Sequence, residues 1–198
     1  MKKMTLKQRI ILAGKSFVFW AVSALAFSGI AECNNMVGEY FGDLAKACFA
    51  APVFEETFKA AYVAIGSPFG GAILGWLEFL GYVCDRGVSP DIRLPMLVFH
   101  SAMGFMYYAI ADGKTGVGLF DSWKFKFAVL AGMLIHGLSN YRAFLGGKFH
   151  WARAGYFSVY VGSWAGWCAE LALWGSIGAV SYYFVRKIQK GGEKKVGE

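Results

Sequence analysis

Apolar residues in this chain run in stretches close to the length that crosses a bilayer, and polar residues gather between them. A membrane-crossing helix needs about 20 apolar residues. Six stretches come near that: residues 10–31, 44–65, 69–84, 94–111, 124–145 and 156–185. The third and fourth are short and the sixth is long, so the sixth is expected to begin as an interfacial turn around "FHWARAGYF" before it spans. Turn-forming residues separate the stretches, in "GSPFGG" (66–71), "DRGVSPDIR" (85–93) and "DGKTGVGLFDS" (112–122). The pattern predicts an all-α protein, a polytopic membrane helix bundle with about six transmembrane helices, in one integral membrane domain covering residues 1–198.

Composition supports the pattern. Of 198 residues, 57% are hydrophobic, 18% aromatic and only 17% charged, and the mean hydropathy is +0.43, outside the range of soluble domains. Twenty-six glycines against four prolines suit close helix packing in lipid, where small residues let backbones approach. The runs "GAILG" (71–75) and "GSWAG" (162–166) have the small-xxx-small spacing, which packing alone explains.

The net charge of +7 does not point to nucleic acid, because the basic residues concentrate at the two ends and in one loop. They read instead as topology signals, since the cytoplasmic side carries the Lys and Arg excess. With both termini inside, thirteen bases fall on the cytoplasmic side and six outside: Lys46, Arg86, Arg93, Arg142, Lys148 and Arg153. The last three run against the rule. Lys59 is left within the membrane. This places the protein in a cell membrane, a prokaryotic plasma membrane by preference, with both termini cytoplasmic. A cleaved signal peptide ending near "ALA" (24–26) is the rival for the first stretch, but Lys15 interrupts its apolar core and the run continues to Ala31. The four cysteines form no CxxC pair; Cys33, Cys48 and Cys84 fall near one membrane surface, where a disulfide is the alternative to simple packing.

The candidate chemistry lies inside the apolar stretches. Glu55, Glu56 and Lys59 in "PVFEETFKAAYV", Glu78, His100, His136 and Glu170 are all ionisable and all intramembrane, which is costly and by default functional. At 1.5 Å per helical residue, Glu55, Glu78, His100 and His136 lie roughly 9–13 Å below the outer surface. Four helices thus deliver ionisable groups to nearly one level, as a shared site requires. A polar cluster that only fixes helix packing is the bland alternative. Glu55 and Lys59 are four residues apart and are expected to pair. Glu56 points about 100° away from Glu55, so the two carboxylates are not expected to face one neighbour. His136 and Asn140 share a helix face, as do Glu78 and Tyr82. Glu170 is deeper, with a packing role expected, and His150 is expected in an outer loop.

A buried carboxylate can act as general base on water, with His100 sharing the proton. His136 and the Asn140 amide are donors of the kind that stabilise an oxyanion. No serine or cysteine has an evident base partner. Two imidazoles with carboxylates also suit zinc with an open position, so a metal-free and a zinc-assisted hydrolysis both remain.

The ordered set "EETFK", "GWLEFLGY", His100 and "HGLSN", spanning about residues 52–142, resembles the PrsW family of membrane proteases. That family is related to the CPBP group of CAAX prenyl proteases and bacteriocin-processing enzymes. The resemblance implies a helix bundle that cleaves the extracytoplasmic part of single-span membrane substrates such as anti-sigma factors, with the lipid bilayer as its other partner. It implies that Glu55 activates water with His100, that Glu56 supports it, and that His136 and Asn140 hold the oxyanion, with Glu78 in the same site. The CAAX branch usually has an arginine where this chain has Ala60, and Lys59 comes one residue earlier; the departure favours the PrsW side over prenylated substrates. Rivals from other classes are a proton-coupled transporter and a non-catalytic membrane interaction protein.

Overall fold

The computed structural model describes residues 6–112, 114–147 and 164–195, and every regular element among them is helical. Helix α1 is Leu6–Phe41. It runs ten residues past the expected end, because a helix satisfies its own backbone and needs no apolar side chains to continue. Gly42, at φ 86°, reverses the chain. A single turn, Asp43–Ala45, and a π-helical turn, Lys46–Ala50, then lead into α2, Ala51–Ala64.

Pro52 sets where the π turn ends. The Ala51 N–H bonds to the Lys46 carbonyl, one residue further back than in an α-helix, and the next residue in that register, Pro52, has no N–H to offer Ala47. Helix α2 ends in a Schellman arrangement, with Gly66 (φ 85°) donating to Val63 O and Ser67 to Tyr62 O. The glycine of "GSPFGG" supplies the left-handed position that closes it.

Helix α3 is Gly70–Leu80, extended by a second π turn, Gly81–Asp85. Helix α4, Pro90–Ala111, starts on Pro90 and stops at Asp112 in the left-handed conformation. A 3-10 turn, Val117–Asp121, precedes α5, Trp123–Gly147. Helix α6 is Trp164–Lys195, ending beyond the expected 185. The expected interfacial turn, His150, and part of "GSWAG" lie outside the described residues.

Helix α4 is the hub, packed against α2, α3, α5 and α6. Its approach to α3 uses the "GAILG" spacing. A Cβ on Gly71 would lie 1.9 Å from the His100 carbonyl oxygen, and one on Gly75 would lie 3.1 Å from His100 Cβ. The two small residues therefore set how closely α3 holds the backbone at His100. The main core joins Val63, Met96, Phe99, Met103, Tyr107 and Phe125. A second cluster, Phe58, Tyr62, Ile73 and Leu74, receives Phe27 and Ile30 of α1, and buried Ser23 meets the Tyr62 hydroxyl.

Among the described residues, two stretches are long and apolar enough to cross a membrane, Arg93–Ala111 and Cys168–Ile188, and the shorter Gly70–Cys84 is also apolar. Helix α2 has 14 residues, among them Glu55, Glu56 and Lys59, which lowers its apolarity. Large apolar side chains face outward on α1 (Leu25), α5 (Phe127, Leu134, Leu138) and α6 (Leu173), a surface suited to lipid. All four cysteines are free.

Candidate active site

Four helices bring the ionisable residues of the apolar stretches together. Glu55 and Glu56 come from α2, Glu78 from α3, His100 from α4 and His136 from α5. The sequence spacing placed them at one depth, and in the folded chain they form one connected network.

Glu56 is fully enclosed. Its Oε1 accepts from Lys59 Nζ at 2.5 Å and lies 2.9 Å from His136 Nδ1. Its Oε2 accepts from the Tyr107 hydroxyl at 2.7 Å. Lys59 thus pairs with Glu56 and not with Glu55 as expected; three and four residues are both neighbouring spacings on a helix, and here the nearer carboxylate is taken. Lys59 Nζ also lies 5.3 Å from the centre of the Phe99 ring, and Phe99 in turn packs edge-on against both imidazoles and Trp174. A Cβ on Gly132 of α5 would lie 1.8 Å from the Tyr107 hydroxyl, so that glycine makes the room for Tyr107 to reach Glu56.

Glu78 has its own base. Arg93 Nη2 donates to Glu78 Oε1, and the guanidinium lies 3.7 Å from the centre of the Tyr82 ring, a stacking that favours arginine over lysine. The other oxygen, Oε2, is 2.8 Å from His100 Nε2, although the contact falls short of hydrogen-bond geometry.

Among the described residues Glu55 has no such partner. Its Oε2 is buried without a hydrogen bond, 3.7 Å from His100 Nε2 and 3.8 Å from His136 Nε2. The two glutamates therefore do share a neighbour, contrary to the expectation from their 100° offset. An imidazole has two nitrogens on opposite edges, and His136 turns Nδ1 to Glu56 and Nε2 toward Glu55. Because Glu56 accepts from Lys59 and Tyr107 as a carboxylate, His136 must donate from Nδ1, which fixes its tautomer when neutral.

Glu55, His100 and His136 could hold a metal ion, since one ligand atom from each lies within 4.8 Å of the others. Tetrahedral zinc places ligand atoms roughly 3.3 Å apart, somewhat closer than the Glu55 separations, and the His136–Glu56 bond supplies the outer carboxylate such sites use. The Glu78 oxygen beside His100 Nε2 competes for that nitrogen.

Asn140 stands one turn beyond His136. Its Nδ2 donates to Ala47 O at 2.7 Å, the carbonyl that Pro52 leaves without a backbone donor. Gly137 lets the helices meet there, for a Cβ at that position would lie 2.5 Å from Cys48 O. One of the two amide hydrogens is thus committed to architecture, leaving one for the cavity that Asn140 helps to line.

That cavity, of about 460 Å³, is bordered by Glu55, Glu78, Tyr82, Arg93, His136 and Asn140. A second, of about 230 Å³, adjoins it beside α1 and shares Asn34, Lys46, Glu55, Glu78, Tyr82 and Arg86. Glu170 borders neither among the described residues. Sequence reasoning missed Arg93, which it counted as a surface base, and Tyr107. The available signal was their spacing: Arg93, His100 and Tyr107 are seven apart, so they fall on one face of α4 at intervals of two turns.

No family model, curated protein or solved structure matches the chain.

Proposed function

We propose that the protein is an intramembrane peptidase that hydrolyses a peptide bond of a single-span membrane protein, with Glu55 as the base that activates water. The observation that carries this reading is the division of partners among the carboxylates. Glu56 has Lys59 and Glu78 has Arg93, whereas Glu55 Oε2 is left facing two imidazole Nε2 atoms at 3.7 and 3.8 Å. Those gaps are too long for direct bonds and suited to a bridging water.

In this mechanism Glu55 takes a proton from a water that His100 helps to orient, and the oxygen attacks the substrate carbonyl carbon. The tetrahedral oxyanion is received by the remaining Asn140 N–H and by His136. Because Nδ1–H is given to Glu56, His136 offers a donor at Nε2 only as an imidazolium. Collapse breaks the C–N bond, and Glu55 returns its proton to the leaving amine. Glu56 acts as a positioning residue that orients His136.

The reading extends to the whole chain. The helices α1 to α6 form a six-span bundle with both termini cytoplasmic, resident in a prokaryotic plasma membrane, and the site opens toward the outer leaflet, as the basic residues and the depth of the cluster suggest. The resemblance to the PrsW family rests on the motifs of residues 52–142 and supports an extracytoplasmic cleavage position. A second reading has a specific observation behind it: the three-residue ligand set would accept zinc, which would supply Lewis acidity at the same carbonyl.

The test is cleavage of a panel of single-span peptides by the protein reconstituted in lipid, comparing the native chain with Glu55→Gln, Glu56→Gln and His136→Ala. Loss of cleavage in Glu55→Gln supports the proposal, and cleavage that persists in all three variants ends it. Chelator inhibition restored by zinc selects the second reading. Proton-coupled uptake without any cleavage, abolished by Glu78→Gln, would move the protein to the transporter class.

A further inference from the structure

Helix α1 contributes a polar residue that the proposed chemistry does not use. Asn34 is buried, at 7% exposure, and its Oδ1 has no hydrogen-bond partner among the described residues. A buried acceptor without a donor is destabilising, so Oδ1 is placed to take a donor that enters the cavities it borders. Asn34 borders both cavities, together with Glu55 and Glu78. Its side chain is held from a helix fixed on both sides: Phe27 and Ile30 pack into the second apolar cluster, and Lys46 donates to the neighbouring Asn35 at 2.6 Å.

A membrane-spanning substrate has its amide N–H groups bonded within its own helix. Unwinding it for hydrolysis strips those bonds, and each freed N–H needs an acceptor where water is scarce. In a trans peptide the C=O and N–H point in opposite directions. An extended strand in the larger cavity that turns a carbonyl toward His136 and Asn140, on the α5 wall, therefore directs an N–H toward another wall. Asn34 Oδ1, on the α1 wall, is an unoccupied acceptor there.

We infer that Asn34 is a substrate-positioning residue, whose side-chain oxygen accepts a backbone N–H from an unwound peptide segment beside the bond to be cut. The inference rests on the peptidase reading for the identity of its ligand. It makes substrate selection depend on main chain that can be drawn out of a helix, and only secondarily on side chains.

Binding tests it separately from cleavage. The full chain carrying Glu55→Gln, in lipid nanodiscs, is titrated with a fluorescent single-span peptide bearing a flexible extracytoplasmic stem. Successive stem amides are replaced by esters, each removing one N–H. One ester position is expected to weaken binding about tenfold, the size of a single hydrogen bond to a buried group. The same ester should cost nothing further in Asn34→Leu, while Asn34→Asp, which keeps an oxygen there, retains the sensitivity. A flat ester scan, an unchanged scan in Asn34→Leu, or no peptide binding at all overturns the assignment. Cleavage by the native chain of a peptide whose binding ignores Asn34 removes this subsite and leaves the peptidase standing. Ester sensitivity at Asn34 without cleavage does the reverse.

Discussion

The two walls of the site treat a carboxylate in different ways. On the inner wall Glu56, Lys59 and Tyr107 are sealed, with Glu56 and Lys59 at 0% exposure, and His136 links them to the cavity it borders. On the outer wall Glu78 and Arg93 border the cavity, and the Glu78 side chain is 16% exposed. Each wall has one acid and one base, so pairing alone does not separate them. The difference is access to water. The sealed pair has no solvent to fall back on and must behave as part of the framework, whereas the outer pair can be rehydrated when its contact opens. Glu55 stands between the walls and belongs to neither pair.

The strongest way to break this contrast is to remove one partner from the sealed side. Lys59→Met leaves Glu56 without its cation and is expected to cost about 3–5 kcal/mol, seen as a lower unfolding temperature in detergent. Adding Glu56→Gln to it should recover most of the loss, because a neutral pair has no stranded charge. If Lys59→Met is as stable as the native chain, the inner wall is not the framework described.

Glu55→Gln should act in the opposite sense. On the proposed peptidase reading, peptide cleavage is expected to fall by about 10²–10⁴-fold, the range for a lost general base, with the unfolding temperature unchanged on the same preparation. A large drop in that temperature would place Glu55 with the framework residues. Arg93→Gln sharpens the comparison further: Glu78 stays beside the cavity and can bind water, so the expected cost is about 1.5–3 kcal/mol. A penalty equal to that of Lys59→Met would make the walls equivalent. The smallest effect is expected for Asn140→Ala, about 1–2 kcal/mol for the acceptor left at Ala47, measured by the same melts.

Much of this arrangement was legible beforehand. The all-helical class follows from the apolar stretches, because hydrophobic runs and the breaks between them are local properties. The convergence of Glu55, Glu56, Glu78, His100 and His136 followed from counting residues inward from the loop charges. Pairing was less readable. Glu55 and Glu56 both had a helical route to a cation, and the carboxylate that takes Lys59 is the one that also meets Tyr107 of α4 and His136 of α5, contacts set by tertiary packing. The bridging role of His136 was hidden for another reason, since helix geometry fixes the direction of a Cβ and says nothing about which ring edge serves which neighbour. Arg93 was concealed by its position near a loop, where a charge usually signals topology. Asn34 lay past the expected end of α1, in a segment whose polarity suggested water and not a cavity wall.

The π turn before α2 has a consequence for how Asn140 is to be understood. A prolyl ring at position 52 strands one carbonyl, and an amide ninety-three positions later in the chain answers it. The need for asparagine at 140 is then partly a debt incurred by covalent geometry elsewhere, whatever the proposed hydrolysis also asks of it. Restoring an ordinary amide at 52, as in Pro52→Ala, should loosen that obligation, so the two sites are expected to vary in tandem in any lineage that keeps this bundle.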